Sequence, residues 1–109
     1  MFSIDGTTIT LIRGDTLITR VGITDASGNE YIPQEGDSLR FALKRDYNDT
    51  NPLILKEIPI ETRILRIDPA DTKPLGQPDT YVYDVEITYG DGFVDTFIRG
   101  KLKLKEEVY

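Results

Sequence analysis

The chain has 109 residues, of which 39% are hydrophobic and 29% are charged, so we expect a single folded domain spanning 1–109. Its formal net charge of -6 argues against nucleic acid or an anionic membrane as a main partner. It contains no cysteine and no histidine, which excludes disulfides and thiolate zinc sites and removes the commonest catalytic base. We therefore expect no metal and no cofactor.

The start of the chain lacks the basic and apolar regions of a secretory signal peptide. No run of apolar residues reaches the length of a membrane span. The sequence therefore predicts a protein that is made in the cytoplasm and stays there unless an assembly carries it out.

Alternating apolar and polar residues predict a series of short β-strands, because successive side chains of a strand point to opposite faces. After a short strand or an ordered tail at 2–4, strands are expected at 8–13, 16–24, 38–45, 53–58, 63–68, 79–89 and 93–105. A single helical turn is expected at 68–72, where Pro69 follows Asp68 as a cap.

The clearest strand is 79–89, whose odd positions from Tyr81 onward are all aromatic or aliphatic. Asp79, Tyr83 and Val85 have the spacing found at the start of strand F in immunoglobulin-like domains, where a tyrosine hydroxyl bonds to backbone upstream. We expect the Tyr83 hydroxyl to bond to backbone within 67–76, and Tyr81 is the other candidate for this role. The alternative is that both tyrosines simply lie on a buried face.

About seven strands without a helical period favour an all-β fold, an antiparallel two-sheet sandwich of the immunoglobulin-like kind. A small open barrel is the structural alternative. The apolar sides of the strands predict a core that includes Leu17, Val21, Ile23, Leu39, Phe41, Leu43, Val85, Ile87 and Leu102.

The last strand carries an unusual face for an acidic protein. If its even positions, Val94, Ile98, Leu102 and Leu104, face the core, its odd positions face solvent. These odd positions include the candidate interface residues Phe93, Phe97, Lys101 and Lys103. The alternative is that the lysines protect a terminal edge strand from pairing with other chains.

Other motifs have simpler explanations than a binding or catalytic site. Arg13-Gly14-Asp15 matches an integrin-recognition tripeptide but lies between two apolar strands, so we expect a turn. The oxygen-rich segment 46–51 lacks the glycine and the distal glutamate of a high-affinity calcium loop. No nucleophile motif or phosphate-binding glycine loop is present, so we expect no enzyme and no catalytic residues.

Several motifs together resemble a family of small structural proteins from phages and prophages of Gram-positive bacteria. The motifs are Ile4-Asp-Gly-Thr, Ile9-Thr-x-x-Arg-Gly-Asp-Thr16, Glu35-Gly-Asp-Ser38, Asn51-Pro-Leu-Ile-Leu-Lys56, Ile67-Asp-Pro-Ala-Asp-Thr-Lys73, Thr80-Tyr-Val-Tyr-Asp-Val85, Gly90-Asp-Gly-Phe-Val-Asp-Thr96 and Glu107-Val108. The resemblance covers nearly the whole chain but consists of turn chemistry, which specifies a fold better than a function. It implies an immunoglobulin-like module of a tail or baseplate, without catalytic residues.

The resemblance therefore implies a non-enzymatic virion structural or assembly module that acts through protein–protein contacts. Its expected partners are other virion proteins or further copies of itself, as a weak homo-oligomer, and it would pass from the cytoplasm into the virion. The alternative is a carbohydrate- or cell-surface-binding β-sandwich module. An exposed group of aromatics flanked by carboxamides would favour this alternative, and a flat apolar patch at a sheet edge would favour the first.

Overall fold

The strands lie close to where the sequence predicts them. A computed structural model describes residues 2–24, 27–75 and 80–106. Within these ranges the chain forms eight strands and one helical turn: β1 (Phe2–Asp5), β2 (Thr8–Ile12), β3 (Leu17–Arg20), β4 (Ser38–Lys44), β5 (Ile54–Ile58), β6 (Ile64–Ile67), α1 (Pro69–Thr72), β7 (Thr80–Thr88) and β8 (Val94–Lys105). The predicted all-β character is confirmed, and the short segment at the start of the chain is a strand.

The strands form two sheets, and one pair departs from the antiparallel arrangement that the sequence predicts. The larger sheet has the order β1-β2-β8-β7-β4-β5, and the smaller sheet pairs β3 with β6. β2 and β8 run parallel, with Ile9 opposite Leu102 and Ile12 opposite Lys105. The wholly antiparallel prediction is therefore wrong at this pair. The chain passes from β2 to β3 in the smaller sheet, so β2 and β8 are not joined by a hairpin. No short connection therefore forces these two strands to run antiparallel.

The two sheets share one hydrophobic core. The nine residues predicted to be buried are all at most 5% exposed, which confirms the strand faces. Leu17 and Leu65 of the smaller sheet belong to the same cluster as Phe41, Val85 and Leu102 of the larger one. Alternation along β7, where every odd position from Tyr81 to Ile87 is buried, supplies the centre of this cluster.

The predicted helical turn is present and ties distant segments together. The Asp68 backbone N–H donates to Asp71 Oδ2 at 2.8 Å, and the Lys56 ammonium lies 2.8 Å from the same oxygen. Burial pushes the pKa of Asp71 upward, but the hydrogen bonds from Lys56 and Asp68 outweigh it and hold that pKa below its ordinary value. The fully buried Thr72 accepts a 3.0 Å hydrogen bond from the Gly14 N–H at Oγ1.

Across the described ranges, no helix is long and apolar enough to cross a bilayer.

Candidate functional site

The strand β8 contains the predicted interface, and its two halves have different surroundings. β2 pairs with β8 only from Leu102 to Lys105, while β7 pairs with β8 over nearly its whole length. Within the described residues, the stretch from Val94 to Arg99 therefore has a strand on one side only. The expectation of a terminal edge strand is wrong for the second half of β8, which lies between two neighbours.

A β-bulge in β8 changes which residues face the core. Val85 pairs with Ile98 and Glu86 pairs with Thr96, so Phe97 is the extra residue between them. Val94 is consequently 51% exposed, and the prediction that it faces the core is wrong. Phe97 is partly buried and packs against the core cluster, so the prediction that it faces solvent is also wrong.

The remaining candidate interface residues are exposed but far apart. Phe93 is 65% exposed at the turn before β8, whereas Lys101 and Lys103 are exposed near the other end of the strand, opposite Val82 and Thr80. At about 3.3 Å per residue, the ten steps from residue 93 to residue 103 span roughly 30 Å. The aromatic anchor and the lysines therefore do not form one compact site.

Phe93 belongs instead to a group of three aromatic rings at one end of the molecule. Its ring centroid lies 6.1 Å from that of Tyr89, and the Tyr89 centroid lies 5.6 Å from that of Tyr31 in an edge-to-face arrangement. We call Tyr31, Tyr89 and Phe93 the tip cluster. It joins the segment before β4 to the turn between β7 and β8.

Asp37 holds these two segments together. Its Oδ2 accepts hydrogen bonds from the Tyr31 hydroxyl at 2.6 Å and from the Gln34 N–H at 2.8 Å. Its Oδ1 accepts one from the Gly90 N–H at 3.0 Å. The bonds from Tyr31, Gln34 and Gly90 lower the pKa of Asp37, although partial burial opposes them. The hydrogen bond to Asp37, together with burial, raises the pKa of Tyr31 to about 12.

Sequence reasoning did not single out Tyr31 or Asp37 as site residues. The available signal was the pair of glycine-containing turns at Gly36 and Gly90, which the structure brings so close that a Cβ on Gly36 would lie 3.6 Å from the Cα of Gly90. Gly36 also adopts a φ of 95°, which only glycine takes readily. The two turns meet because their strands, β4 and β7, are neighbours, with Ser38 opposite Thr88.

The basic side of β8 makes an ordered contact further along the strand. The Arg99 guanidinium carbon lies 4.2 Å from the centroid of the Tyr47 ring, and the Tyr47 hydroxyl donates to the Gly100 carbonyl at 3.1 Å. Arg99, Lys101 and Lys103 are all exposed, so β8 presents a basic row on an acidic protein.

Tyr83 bonds to backbone as expected, but to a different segment. Its hydroxyl donates to the Thr7 carbonyl at 2.6 Å, so the predicted partner within 67–76 is wrong. Burial, and to a lesser extent the nearby Tyr47, raise the pKa of Tyr83. The other predicted corner residue, Asp79, lies outside the described residues. Tyr81 is 1% exposed.

The Arg13-Gly14-Asp15 tripeptide forms a packed turn between the sheets. The Arg13 side chain is 19% exposed and pairs with Glu106, and the Asp15 N–H donates to the Ile12 carbonyl at 3.0 Å. With the Gly14 N–H bonded to Thr72, this turn is not an exposed loop tip.

In segment 46–51, the Asp49 N–H donates to the Asp46 carbonyl at 3.0 Å. In the part of the chain that the structure describes, no group of three or more acidic residues is arranged to hold a metal ion.

These surfaces offer area for contact with a partner. Hydrogen bonds and aromatic packing hold their side chains in place. No protein-family model and no curated protein matches this chain.

Proposed function

We propose that this protein is a non-enzymatic structural or assembly module of a phage or prophage particle, of the tail or baseplate type. It would be made in the cytoplasm and then incorporated into the virion, where it acts through protein–protein contacts. The resemblance in its sequence motifs supports the setting. The observation that carries the contact role is that the first half of β8 is unpaired on one side and that two exposed apolar residues lie at its start, Phe93 in the preceding turn and Val94 in the strand.

The arrangement of strands supports an immunoglobulin-like domain. Such domains pair strands B and E in one sheet and place C, F and G in the other, with C′ added beside C in the variable type. Here β3 pairs with β6, while β8, β7, β4 and β5 are consecutive neighbours in the larger sheet. Taken in chain order, β3 and β6 correspond to strands B and E. The strands β8, β7, β4 and β5 correspond to G, F, C and C′. In variable domains, the loops before C and between F and G bind partners, and the tip cluster lies on the equivalent segments.

The contact surface that we propose differs from the predicted one in its anchor. Phe93 is the exposed aromatic side chain, whereas Phe97 is partly buried and packs against the core cluster. An exposed phenylalanine beside partly buried tyrosines is a typical centre for a protein interface, because large rings bury much area at little entropic cost. Lys101 and Lys103 would orient an acidic partner face some distance away. The partners are other virion proteins or further copies of this chain.

The test is incorporation of the Phe93→Ser variant into particles produced by a phage or prophage that carries this gene. Purified particles should contain the wild-type protein, and the variant should be depleted at least severalfold while remaining folded. Leu55→Ser is the matched control, since Leu55 is 58% exposed but lies on β5, at the opposite edge of the sheet. Normal incorporation of Phe93→Ser would remove the tip from the interface. Absence of the wild-type protein from purified particles would overturn the proposed function.

A second candidate function, binding of a cell-surface carbohydrate, is supported by the tip cluster itself. Tyr31, Tyr89 and Phe93 form a group of aromatic rings, and the exposed carboxamide of Gln34 lies in the same loop as Tyr31. Aromatic faces and amides are the groups that sugar-binding sites use for stacking and hydrogen bonding. Saturable binding of the protein to purified Gram-positive cell-wall polysaccharide, lost in Phe93→Ser and kept in Leu55→Ser, would favour this function over the first.

A further inference from the structure

A cleft opens between the two sheets on the side away from β5. It encloses about 230 Å³ and is lined by Val21 and Leu65 from the smaller sheet and by Tyr83, Val85 and Ile98 from the larger one. Most of these side chains belong to the hydrophobic core or pack against it. The cleft is therefore a place where the core reaches the surface.

Both walls of the cleft are strand edges. β3 pairs with β6 and with no other strand of the described residues, and the first half of β8 pairs with β7 alone. The turn at Gly6 and Thr7 borders the cleft where β2 begins. On the side of β3 away from β6, no strand of the described residues pairs with it.

The register shows which backbone groups of β3 face this space. The Val21 N–H donates to the Arg63 carbonyl at 2.8 Å, which continues the ladder in which Thr19 pairs with Leu65 and Leu17 with Ile67. In an antiparallel ladder the residues between such hydrogen-bonded pairs direct their N–H and C=O groups to the opposite side. The backbone groups of Ile18 and Arg20 therefore point away from β6 and into the open space.

We propose that this edge of β3 binds an extended segment of a partner protein, which adds a third strand to the smaller sheet. A row of outward N–H and C=O groups is a template for such a strand, and an adjoining apolar cleft gives specificity for alternate side chains. We assign the donor to another protein, since each described strand of this chain already pairs within its own sheets. This inference goes beyond the proposed function, since the edge would accept a strand in any assembly.

The side chains around the edge specify the chemistry of the donor. Side chains on its inner face would enter the cleft beside Val21 and Ile98, so they should be apolar and of moderate size. Side chains on its outer face would lie next to Ile18, which is 47% exposed, and to the exposed Arg20. An acidic residue opposite Arg20 forms a favourable cross-strand pair. The donor is therefore a segment in which apolar residues alternate with polar ones that include an aspartate or a glutamate.

The test selects ligands for the folded protein from a displayed library of random peptides of about nine residues. Enriched peptides should alternate apolar with acidic or polar residues. When a selected peptide saturates the protein, exchange of the Ile18 and Arg20 amide hydrogens should slow by roughly tenfold or more. The amide hydrogens of β5, the edge strand of the larger sheet, should exchange as before.

Two substitutions separate the backbone contribution from the charge. Arg20→Pro removes the outward N–H without removing a bond to β6, so it should fold and should weaken peptide binding by roughly tenfold or more. Arg20→Gln should weaken binding less, and Lys73→Gln, on the exposed residue after α1, should leave it unchanged. If Arg20→Pro does not fold, amide exchange in the wild-type protein still decides the question.

Three results would overturn the inference: no enriched peptide, protection of amides at the tip or on β5 in place of β3, or undiminished binding by a folded Arg20→Pro. Mutual protection of β3 in concentrated protein without peptide would identify a second copy as the occupant and refute a foreign donor. Particle incorporation of Phe93→Ser tests the proposed function separately, because Phe93 does not line the cleft.

Discussion

Replacing Gly100 with alanine should destabilise the protein, although alanine normally suits a strand better than glycine does. A Cβ at position 100 would lie 2.2 Å from the Thr7 carbonyl oxygen and 2.9 Å from the Thr7 Cβ. The first distance is more than about 1 Å shorter than an ordinary contact, so the Thr7 backbone has to move. The same carbonyl accepts the 2.6 Å hydrogen bond from Tyr83, which lies opposite Gly100 in the β7–β8 ladder.

A shift of about 1 Å would lengthen that bond beyond hydrogen-bonding distance. Leaving the Tyr83 hydroxyl unpaired in a buried site costs about 1–3 kcal/mol, and overpacking costs about 1–3 kcal/mol. The usual gain from replacing glycine in a strand is about 0.5–1 kcal/mol, so the net loss should be about 1–5 kcal/mol. That is a substantial part of the roughly 5–15 kcal/mol that stabilises a domain.

Urea denaturation of Gly100→Ala, Tyr83→Phe and the double variant measures this loss and its cause. Because both substitutions remove the same hydrogen bond, the double variant should lose less stability than the two single losses added together. Gly22→Ala is the control, since no heavy atom lies within 4 Å of its added Cβ. It should leave stability unchanged or raise it by up to about 1 kcal/mol. An unchanged midpoint for Gly100→Ala, or strict additivity in the double variant, would refute this reasoning.

Three further predictions follow from individual contacts. Phe41→Ala should cost about 3–5 kcal/mol in urea denaturation, because Phe41 is fully buried at the centre of the core. Thr72→Val should cost about 1–3 kcal/mol, because it leaves the Gly14 N–H without its acceptor; an unchanged midpoint would show that another group replaces Oγ1. The lowered pKa of Asp37 means that its stabilising contribution is present above its unfolded-state pKa of about 3.8 and is lost as the pH falls through the lower folded-state value. Asp37→Asn should therefore reduce the loss of stability between neutral pH and pH 3, and it should lower the Tyr31 pKa from about 12 toward its ordinary value in an ultraviolet titration.

The sequence predicted those features that depend on local pattern. Alternation alone identified the buried faces of β3, β4 and β7. A strand with one solvent-exposed face alternates apolar with polar residues whichever strands lie beside it. The helical turn at α1 followed in the same way from Asp68 and Pro69. None of these inferences required knowledge of which strands pair.

The features that the sequence did not predict all depend on pairing between distant segments. Phe97 reads as an outward residue of a regular strand, and only the register against β7 reveals the bulge that turns it toward the core. The Tyr83 hydroxyl bonds to Thr7, 76 residues away, because the parallel pairing of β2 with β8 brings the turn before β2 over Gly100. Composition and alternation contain no information about that choice of partner. The interface role of Phe93, Lys101 and Lys103 stays a prediction.

The same pairing explains why the cleft beside β3 is open. In the immunoglobulin-like arrangement that we propose, β3 corresponds to strand B, and the strand beside B is the first strand of the domain. Here the first strand, β1, pairs with β2 on the outside of the larger sheet, through a turn in which Gly6 adopts a φ of 61°. This hairpin directs β1 away from β3, and the contact between Thr7 and Gly100 fixes the turn against β8. A substitution that loosens this turn, such as Gly100→Ala, should therefore alter peptide binding at β3 as well as stability. Peptide binding at β3 and the stability of the β1–β2 hairpin would then be linked through the contact between Thr7 and Gly100.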